Sequence, residues 1–273
     1  MNTPLNSHVV TKLDDHGVAW ITLNRPEVHN AFDDAVIQQL IAALEDTAND
    51  DNVRVVVLNS NGKNFSAGAD LNWMRSMAAK NYNENLDDAN QLARLMSTLD
   101  THPKPTIALV QGAAFGGALG LIACCDIAIA QANASFCLSE VKIGLIPAVI
   151  SPYVVRAIGE RASRRYFITA ERFFAEEALN LGLIHELVDL DELHTRADYY
   201  IKQLLQNSPQ GIKEAKRLIA AVNNKSIDED VIADTSARIA TIRVSEEGQE
   251  GLTAFLEKRK PNWIQPDEEE EDV

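Results

Sequence analysis

The chain has 273 residues, of which 46% are hydrophobic and 24% charged, and its formal net charge is −15 at pH 7. These values are typical of a soluble protein with one substantial core, and the negative charge argues against binding to nucleic acid or to anionic membranes. No apolar stretch is long enough to cross a bilayer, and the N-terminus lacks the basic and apolar regions of a targeting signal. We therefore expect a cytoplasmic protein without nucleic-acid or membrane partners.

The three cysteines, Cys124, Cys125 and Cys137, all lie in apolar sequence. This placement indicates buried thiols in a reducing compartment rather than disulfides. The six histidines show no spacing typical of a metal site, so we predict no metal. Part of the acidic excess falls in the run 267–272, which predicts a solvated, disordered tail over residues 264–273.

Strand and helix patterns alternate along the N-terminal half, which predicts parallel strand pairing in a layered α/β domain. Apolar runs predict strands over 9–13, 18–23, 53–58, 106–110, 127–130 and 136–138. Residues 14–17 are typical of a hairpin turn between the first two strands. Helices are predicted to start near Asp33 and Asp34, to follow the turn that ends at Leu71, and to cover 86–99 and 119–125.

The pattern becomes mostly helical after Arg161. Helices are predicted over 164–171, 175–181, 190–206, 212–223, 228–242 and 247–260. A short extended piece over 182–188 interrupts them. A helical C-terminal region of this kind commonly covers a site or makes an oligomer contact.

Two glycine turns stand out because each follows a predicted strand and precedes a predicted helix. One contains Gly116 and Gly117, and the other covers residues 65–71 with Gly68 at its centre. A helix that begins at paired glycines offers free backbone N–H groups, and its dipole favours negative charge there. Either turn alone is equally well explained by close packing. Two similar turns together favour a place where an anion, or a developing anion, is held.

The chain resembles the crotonase, or enoyl-CoA hydratase/isomerase, family in motifs that follow one another in the family's order. These motifs are Leu23-Asn24-Arg25-Pro26 with Asn30-Ala31, residues 65–71, residues 112–126, Ser139-Glu140 to Pro147, and residues 254–260. The resemblance implies an α/β fold built as a spiral of repeated β-β-α units with a helical C-terminal region. It implies a core over residues 1–200, a trimerisation region over 201–263, and a trimer or a dimer of trimers.

The resemblance also implies acyl-CoA binding without a separate cofactor, because CoA is carried by the substrate. The thioester carbonyl is expected to accept hydrogen bonds from the backbone N–H groups of Ala69 and Gly117, which form an oxyanion hole. Lys258 matches a position that meets CoA phosphates. The other residues expected to contact the substrate or CoA are Glu27, Val28, His29, Ala67, Asp70, Leu71 and Asn72.

The acid–base positions depart from the family pattern. Hydratases of the family commonly carry two glutamates, and Glu140 matches the second of them while Gly120 stands in place of the first. Glu140 is therefore the predicted general acid and base, and an apolar environment would raise its pKa. This departure leaves two reactions open: hydration by Glu140 alone, and isomerisation in which one carboxylate moves a proton along the acyl chain.

Residues 69–74, 111–118 and 139–152 look like the bacterial methylglutaconyl-CoA hydratase branch, which also carries the glycine. This closer resemblance implies hydration of 3-methylglutaconyl-CoA to 3-hydroxy-3-methylglutaryl-CoA in leucine catabolism. That substrate has a second carboxylate, and Asn72 and Lys142 are candidates to receive it. The alternatives are a single-glutamate isomerase, a general enoyl-CoA hydratase, and a protein that binds acyl-CoA or RNA without catalysis.

Overall fold

The structure is a computed structural model that describes residues 7–189 and 191–264. It divides into two compact units, Met1–Tyr199 and Tyr200–Val273. The trimerisation role of the second unit stays a prediction. The predicted acidic tail lies outside the described residues from position 265 onward.

Strands are interspersed with helices in the first unit. The strands are β1 (Val9–Leu13), β2 (Val18–Leu23), β3 (Val55–Ser60), β4 (Thr106–Val110), β5 (Ala113–Phe115), β6 (Ile127–Gln131), β7 (Ser135–Cys137), β8 (Phe173–Phe174) and β9 (Glu186–Val188). The helices are α1 (Asp34–Asn49), α2 (Leu71–Ala79), α3 (Tyr82–Asp100), α4 (Gly117–Cys124), α5 (Ser151–Thr169), α6 (Ala175–Leu181), α7 (Leu193–Leu205), α8 (Pro209–Val222), α9 (Glu229–Arg243) and α10 (Glu246–Glu257). Helices α8, α9 and α10 belong to the second unit. Pro26–Val28 and Glu140–Ile143 form short 3-10 helices.

The larger sheet has the strand order β1-β2-β3-β4-β6-β9. β1 and β2 form the predicted antiparallel hairpin, and the other neighbours pair in parallel. Val56 and Leu58 of β3 face the main core, where they join buried side chains of α1, α3 and α4. Val55 and Val57 are buried on the opposite face. Burial on both faces explains why the central strands read as continuous apolar runs, and it confirms the predicted layering.

A smaller sheet has the strand order β5-β7-β8, and the second glycine turn, at Gly116 and Gly117, directly follows β5. Two isolated parallel bridges extend this sheet toward the first glycine turn, at residues 65–71: Ser66 pairs with Ala114, and Phe32 pairs with Ala69. The two glycine turns therefore lie side by side. In the second unit, α8, α9 and α10 pack against one another.

The main differences from the sequence predictions lie in α3, α5 and the short strands β5 and β8. α3 begins at Tyr82 rather than at residue 86, because Asn81 and Glu84 form a reciprocal capping box. α5 consists of two helical segments that meet at a kink at Gly159, where φ is 76°; the predicted helix over 164–171 falls in the second segment, and the first segment from Ser151 was not predicted. β5 and β8 were not predicted, because three and two residues carry too short a pattern to recognise. None of the helices in the described part of the chain is both long and apolar enough to cross a membrane.

Candidate active site

The two glycine turns place Ala69 and Gly117 at corresponding positions of two adjacent parallel segments. The parallel bridge between Ser66 and Ala114 sets this register, since each residue of the pair is three positions before Ala69 or Gly117. The residue before each is a glycine with positive φ, 90° for Gly68 and 53° for Gly116. A side chain at Gly68 would also stand 3.0 Å from the carbonyl oxygen of Phe115. Glycine therefore allows both the turn and the close approach of the two segments.

The backbone N–H groups of Ala69 and Gly117 donate to no acceptor within residues 7–189 and 191–264. Gly117 is the first residue of α4, so its N–H has no acceptor inside the helix. The flanking groups are satisfied: the Gly116 N–H donates to the Cys137 carbonyl at 2.9 Å, and the Asp70 N–H donates to the Phe32 carbonyl at 2.7 Å. Two free donors on adjacent segments are suited to stabilise an oxyanion.

Arg25 stabilises the glycine turn at residues 65–71. Its guanidinium donates to the Ala31 carbonyl at 3.0 Å, to Asp33 at 2.8 Å and to Asp70 at 3.2 Å. Asp33 caps the N-terminus of α1 and Asp70 caps that of α2. One cation thus ties two helix starts together beside Ala69, which holds the donor in place.

Asp70 is predicted to contact the substrate, but its carboxylate has structural partners on both oxygens. One oxygen accepts from the N–H groups of Asn72 and Trp73, and the other accepts from Arg25. Burial favours a higher pKa for Asp70, yet the two N–H groups and the guanidinium outweigh it and hold the pKa below its usual value. The side chain of Asp70 therefore positions the turn, and its contact with the substrate stays a prediction.

The carboxylate of Glu140 lies beside the second glycine turn. Its Oε1 is 3.2 Å from the place where a side chain on Gly116 would begin, and the next residue is the donor Gly117. Its Oε2 is buried and has no hydrogen-bond partner among the described residues. Burial raises the pKa of Glu140 above its ordinary value. A carboxylate with this environment is suited to exchange protons next to a bound carbonyl.

Position 120 has no room for a side chain. A Cβ at Gly120 would stand 2.4 Å from Cγ2 of Ile150 and 2.8 Å from Sδ of Met96. Both of these side chains are buried. Within the described structure, Glu140 is thus the carboxylate beside the paired donors, and the departure at Gly120 reflects filled space rather than an open gap.

Comparison with known proteins identifies the family. Residues 14–266 match the family model described as enoyl-CoA hydratase/isomerase. The chain belongs to the enoyl-CoA hydratase/isomerase family.

Relatives within this family are similar over nearly the whole chain. The crystal structure of an enoyl-CoA hydratase from Shewanella pealeana is 57% identical with a TM-score of 0.92, and the match covers 94% of this chain and 96% of that one. Pseudomonas aeruginosa AtuE is 35% identical with a TM-score of 0.90 over 95% of this chain and all (100%) of that one. The 2,3-dehydroadipyl-CoA hydratase of Escherichia coli is 30% identical over 90% of this chain and 94% of its own length. The protein is thus an enzyme, a hydro-lyase with the predicted crotonase fold and an acyl-CoA substrate.

The loop expected to meet CoA packs directly against both turns of this crotonase site. Glu27 and Val28 lie in the 3-10 helix Pro26–Val28, and His29 ends it with a positive φ of 54°. The His29 carbonyl accepts from the Ala67 N–H at 2.9 Å. The amide nitrogen of Asn64 lies 3.0 Å from Nδ1 of His29, and the amide oxygen of Asn64 accepts a hydrogen bond from the Ala113 N–H at 2.9 Å. The structure therefore brings Val28, His29 and Ala67 together, with His29 and Ala67 exposed.

The remaining predicted residues are spread along two units. Leu71 is exposed to 69%, and the exposed Asn72 accepts from Arg75 at 2.6 Å. Lys258 belongs to the second unit, where it ends α10 in a left-handed conformation and is exposed. Their contacts with CoA stay predictions. No cluster of three or more histidine, cysteine or acidic side chains suited to a metal occurs in residues 7–189 and 191–264.

Arg172 lies beside the second glycine turn, and the sequence analysis did not point to it. The small sheet pairs Phe115 with Cys137 and Phe136 with Phe173, and Arg172 directly precedes β8. Phe115 in turn immediately precedes the turn with Gly116.

The guanidinium of Arg172 stands 4.9 Å above the ring of Phe115. Within the described ranges it forms no ion pair, although the protein carries an excess of acidic residues. Burial raises the pKa of Cys137, whereas the charges of Lys142 and Arg172 act to lower it. No sequence signal marks Arg172, because β8 is only two residues long and its partner strand lies far away in sequence.

Proposed function

We propose that this enzyme adds water to a branched 2-enoyl-CoA with a second carboxylate, namely 3-methylglutaconyl-CoA, and forms 3-hydroxy-3-methylglutaryl-CoA in leucine catabolism. The observation that carries the proposal is the carboxylate of Glu140, whose buried Oε2 has no hydrogen-bond partner among the described residues, beside the free N–H groups of Ala69 and Gly117. The similarity of residues 69–74 and 139–152 to the methylglutaconyl-CoA hydratase branch supports the substrate.

In the proposed reaction, the thioester oxygen accepts hydrogen bonds from the N–H groups of Ala69 and Gly117. Glu140 takes a proton from water, and the resulting hydroxide oxygen bonds to C3 of the acyl group. The C2–C3 π electrons move toward the thioester, and the negative charge collects on the oxygen between the two donors. Glu140 then returns the proton to C2, so one water is added and the carboxylate is regenerated.

A single-glutamate isomerase would use the same donors and the same carboxylate. Hydration is favoured here because the relatives from Shewanella pealeana and Escherichia coli are described as hydratases. A general enoyl-CoA hydratase without preference for a branched acid is the other alternative. The two alternatives predict different products and different substrate ranges.

The test is to incubate the enzyme separately with 3-methylglutaconyl-CoA, crotonyl-CoA and a 3-enoyl-CoA, and to identify the products by mass. We expect the first substrate to gain the mass of one water and to lose its conjugated absorbance, with little turnover of crotonyl-CoA. Double-bond migration without a change in mass would establish the isomerase instead. Equal turnover of crotonyl-CoA would establish a general hydratase.

Arg172 is our candidate to receive the second carboxylate of the substrate, ahead of Asn72 and Lys142. Asn72 already accepts a hydrogen bond from Arg75, whereas Arg172 has no acidic partner in the described residues. Guanidinium groups bind carboxylates through paired, charge-assisted hydrogen bonds.

Replacing Arg172 with Gln is therefore expected to weaken the binding of glutaryl-CoA by about 10-fold or more, because a hydrogen bond to a charged group is worth roughly 1.5–3 kcal/mol. Butyryl-CoA, which lacks the carboxylate, should bind with unchanged affinity. Both thioesters are saturated, so calorimetry measures their binding without turnover. R164Q, on the exposed face of α5, serves as the control. Equal weakening of both ligands would exclude this role, and K142Q would then be measured in the same way.

We further infer a homotrimer or a dimer of trimers. Apolar side chains that are exposed in the second unit support this inference. They include Ile219, Ile227, Val244, Phe255 and Leu256. The cytoplasmic location and the absence of nucleic-acid partners stay predictions. Light scattering on the full chain measures the subunit number.

A further inference from the structure

Ile150 fills the space that a side chain at position 120 would need. Gly120 lies one turn into α4, three residues after the donor Gly117, so the two positions are neighbours on one side of the helix. Ile150 is the N-cap residue that directly precedes α5, and it is 2% exposed. This contact therefore links the helix that carries an oxyanion donor to the start of α5.

The steric block comes from atoms of Ile150 that cannot move away. A Cβ on Gly120 would stand 2.4 Å from Cγ2 of Ile150, 2.9 Å from its Cβ and 2.8 Å from Sδ of Met96. The methionine is unbranched and can adjust its torsion angles. The Cβ of Ile150 is fixed by the backbone, and its branching limits the rotation that would move Cγ2. Ile150 is thus the residue that decides what position 120 can hold.

We propose that Ile150 sets the number of carboxylates in the site, because it leaves no space for a carboxylate side chain at position 120 and so leaves Glu140 to activate water alone. This inference rests on the proposed function. With one carboxylate, the bond between C3 and the water oxygen must form and break with less help from a base. A second carboxylate at position 120 would supply that help, so its admission should speed the addition of water to a simple enoyl thioester such as crotonyl-CoA.

Substitution of Gly120 by Ala tests the steric block, because the direction of the change in melting temperature shows whether the added Cβ meets Ile150. An alanine in place of a helical glycine ordinarily stabilises a protein. We expect G120A to lower the melting temperature instead, because its Cβ meets Ile150. In the I150G background, which removes the fixed Cβ as well, the same G120A substitution should raise the melting temperature. The four proteins form a double-mutant cycle that is measured by thermal unfolding without any substrate.

The effect on the reaction is tested with a carboxylate at position 120. We expect G120E alone to lose both stability and turnover. The double variant G120E/I150G should regain stability and hydrate crotonyl-CoA at least 10-fold faster than the wild type. G120Q/I150G has the same shape without the charge, so it is the control that should regain stability but not the new activity.

Three results would overturn the proposal. G120A could stabilise the wild-type background, G120E could be as active as the wild type, or G120E/I150G could fold without any gain on crotonyl-CoA. A different result would overturn the proposed function: a wild-type enzyme that does not turn over 3-methylglutaconyl-CoA. The two failures are distinguishable because the melting-temperature cycle depends on Ile150 and Gly120 alone.

Discussion

Replacing Glu140 with Gln is expected to lower kcat for hydration by about 10²–10⁴-fold, the usual contribution of a general acid or base. The amide keeps the shape of the side chain but can neither accept the proton of water nor return it to C2. KM should change little, because the thioester oxygen is held by backbone N–H groups rather than by this side chain. Steady-state kinetics with 3-methylglutaconyl-CoA measure both parameters.

E160Q is the matched control for this experiment. Glu160 is an exposed glutamate of α5 that pairs with Arg164, one helical turn away, at 3.3 Å. This variant should retain wild-type kinetics. Near wild-type turnover by E140Q would refute the assignment of Glu140 as the acid–base group.

The environment of Glu140 also predicts a pH dependence for both activity and stability. Because burial raises the pKa of Glu140, turnover should increase with pH as the carboxylate ionises through this raised pKa. In the folded protein the ionised form is the disfavoured one. The contribution of Glu140 to the free energy of unfolding is therefore fully present below the pKa of the unfolded state, about 4.3 for glutamate. This contribution is lost as pH rises through the higher pKa of the folded state.

The E140Q variant has no such loss, so it should melt at a higher temperature than the wild type at neutral and alkaline pH. The difference should vanish below about pH 4, where the wild-type carboxyl is protonated in both states. Thermal unfolding across this pH range measures it. A constant difference at every pH would mean that the substitution changes packing rather than an ionisation.

Substitution of Gly117 by Pro is expected to lower kcat by about 10²–10³-fold, the usual cost of losing one oxyanion donor. Gly117 is the first residue of α4, and proline is favoured at the first position of a helix because its missing N–H has no partner there. The helix should therefore survive while the site loses one of its two donors. Kinetics and a melting curve of G117P separate the two effects.

G117A is the control that keeps the N–H and adds only a methyl group. The new Cβ would stand 3.4 Å from the ring of Phe32, which is an ordinary contact. We expect G117A to keep most of the wild-type turnover. If G117A lost as much activity as G117P, the lost activity would come from the added bulk at this position and the role of the N–H would be excluded.

The sequence by itself determined the elements whose signals are local. The β1–β2 hairpin follows from two apolar runs around a turn, and the start of α1 follows from Asp33, which accepts the Val36 N–H as a helix cap. The order of motifs along the chain was enough to identify the family and to single out Ala69, Gly117 and Glu140. These features depend on residues that are close in sequence or carried by a recognisable motif.

Only the tertiary structure decided which side chains surround that site. The sequence places glycine at position 120, but the fold shows that Ile150 and Met96 fill the space beside it. Arg172 reaches Phe115 only because β5, β7 and β8 pair in one sheet. Arg25 binds the carboxylate of Asp70, which is 45 positions away in the sequence.

The physical reason is the same in each of these three cases. Periodicity and capping report how one segment is buried and where it begins, since they depend on neighbours within a few turns of chain. Contacts such as Ile150 with Gly120 depend on the packing of separate helices, and the neighbours of Arg172 depend on strand register. A sequence pattern therefore points to the groups that we propose perform the chemistry, while the packing of distant segments sets the space and charge around them.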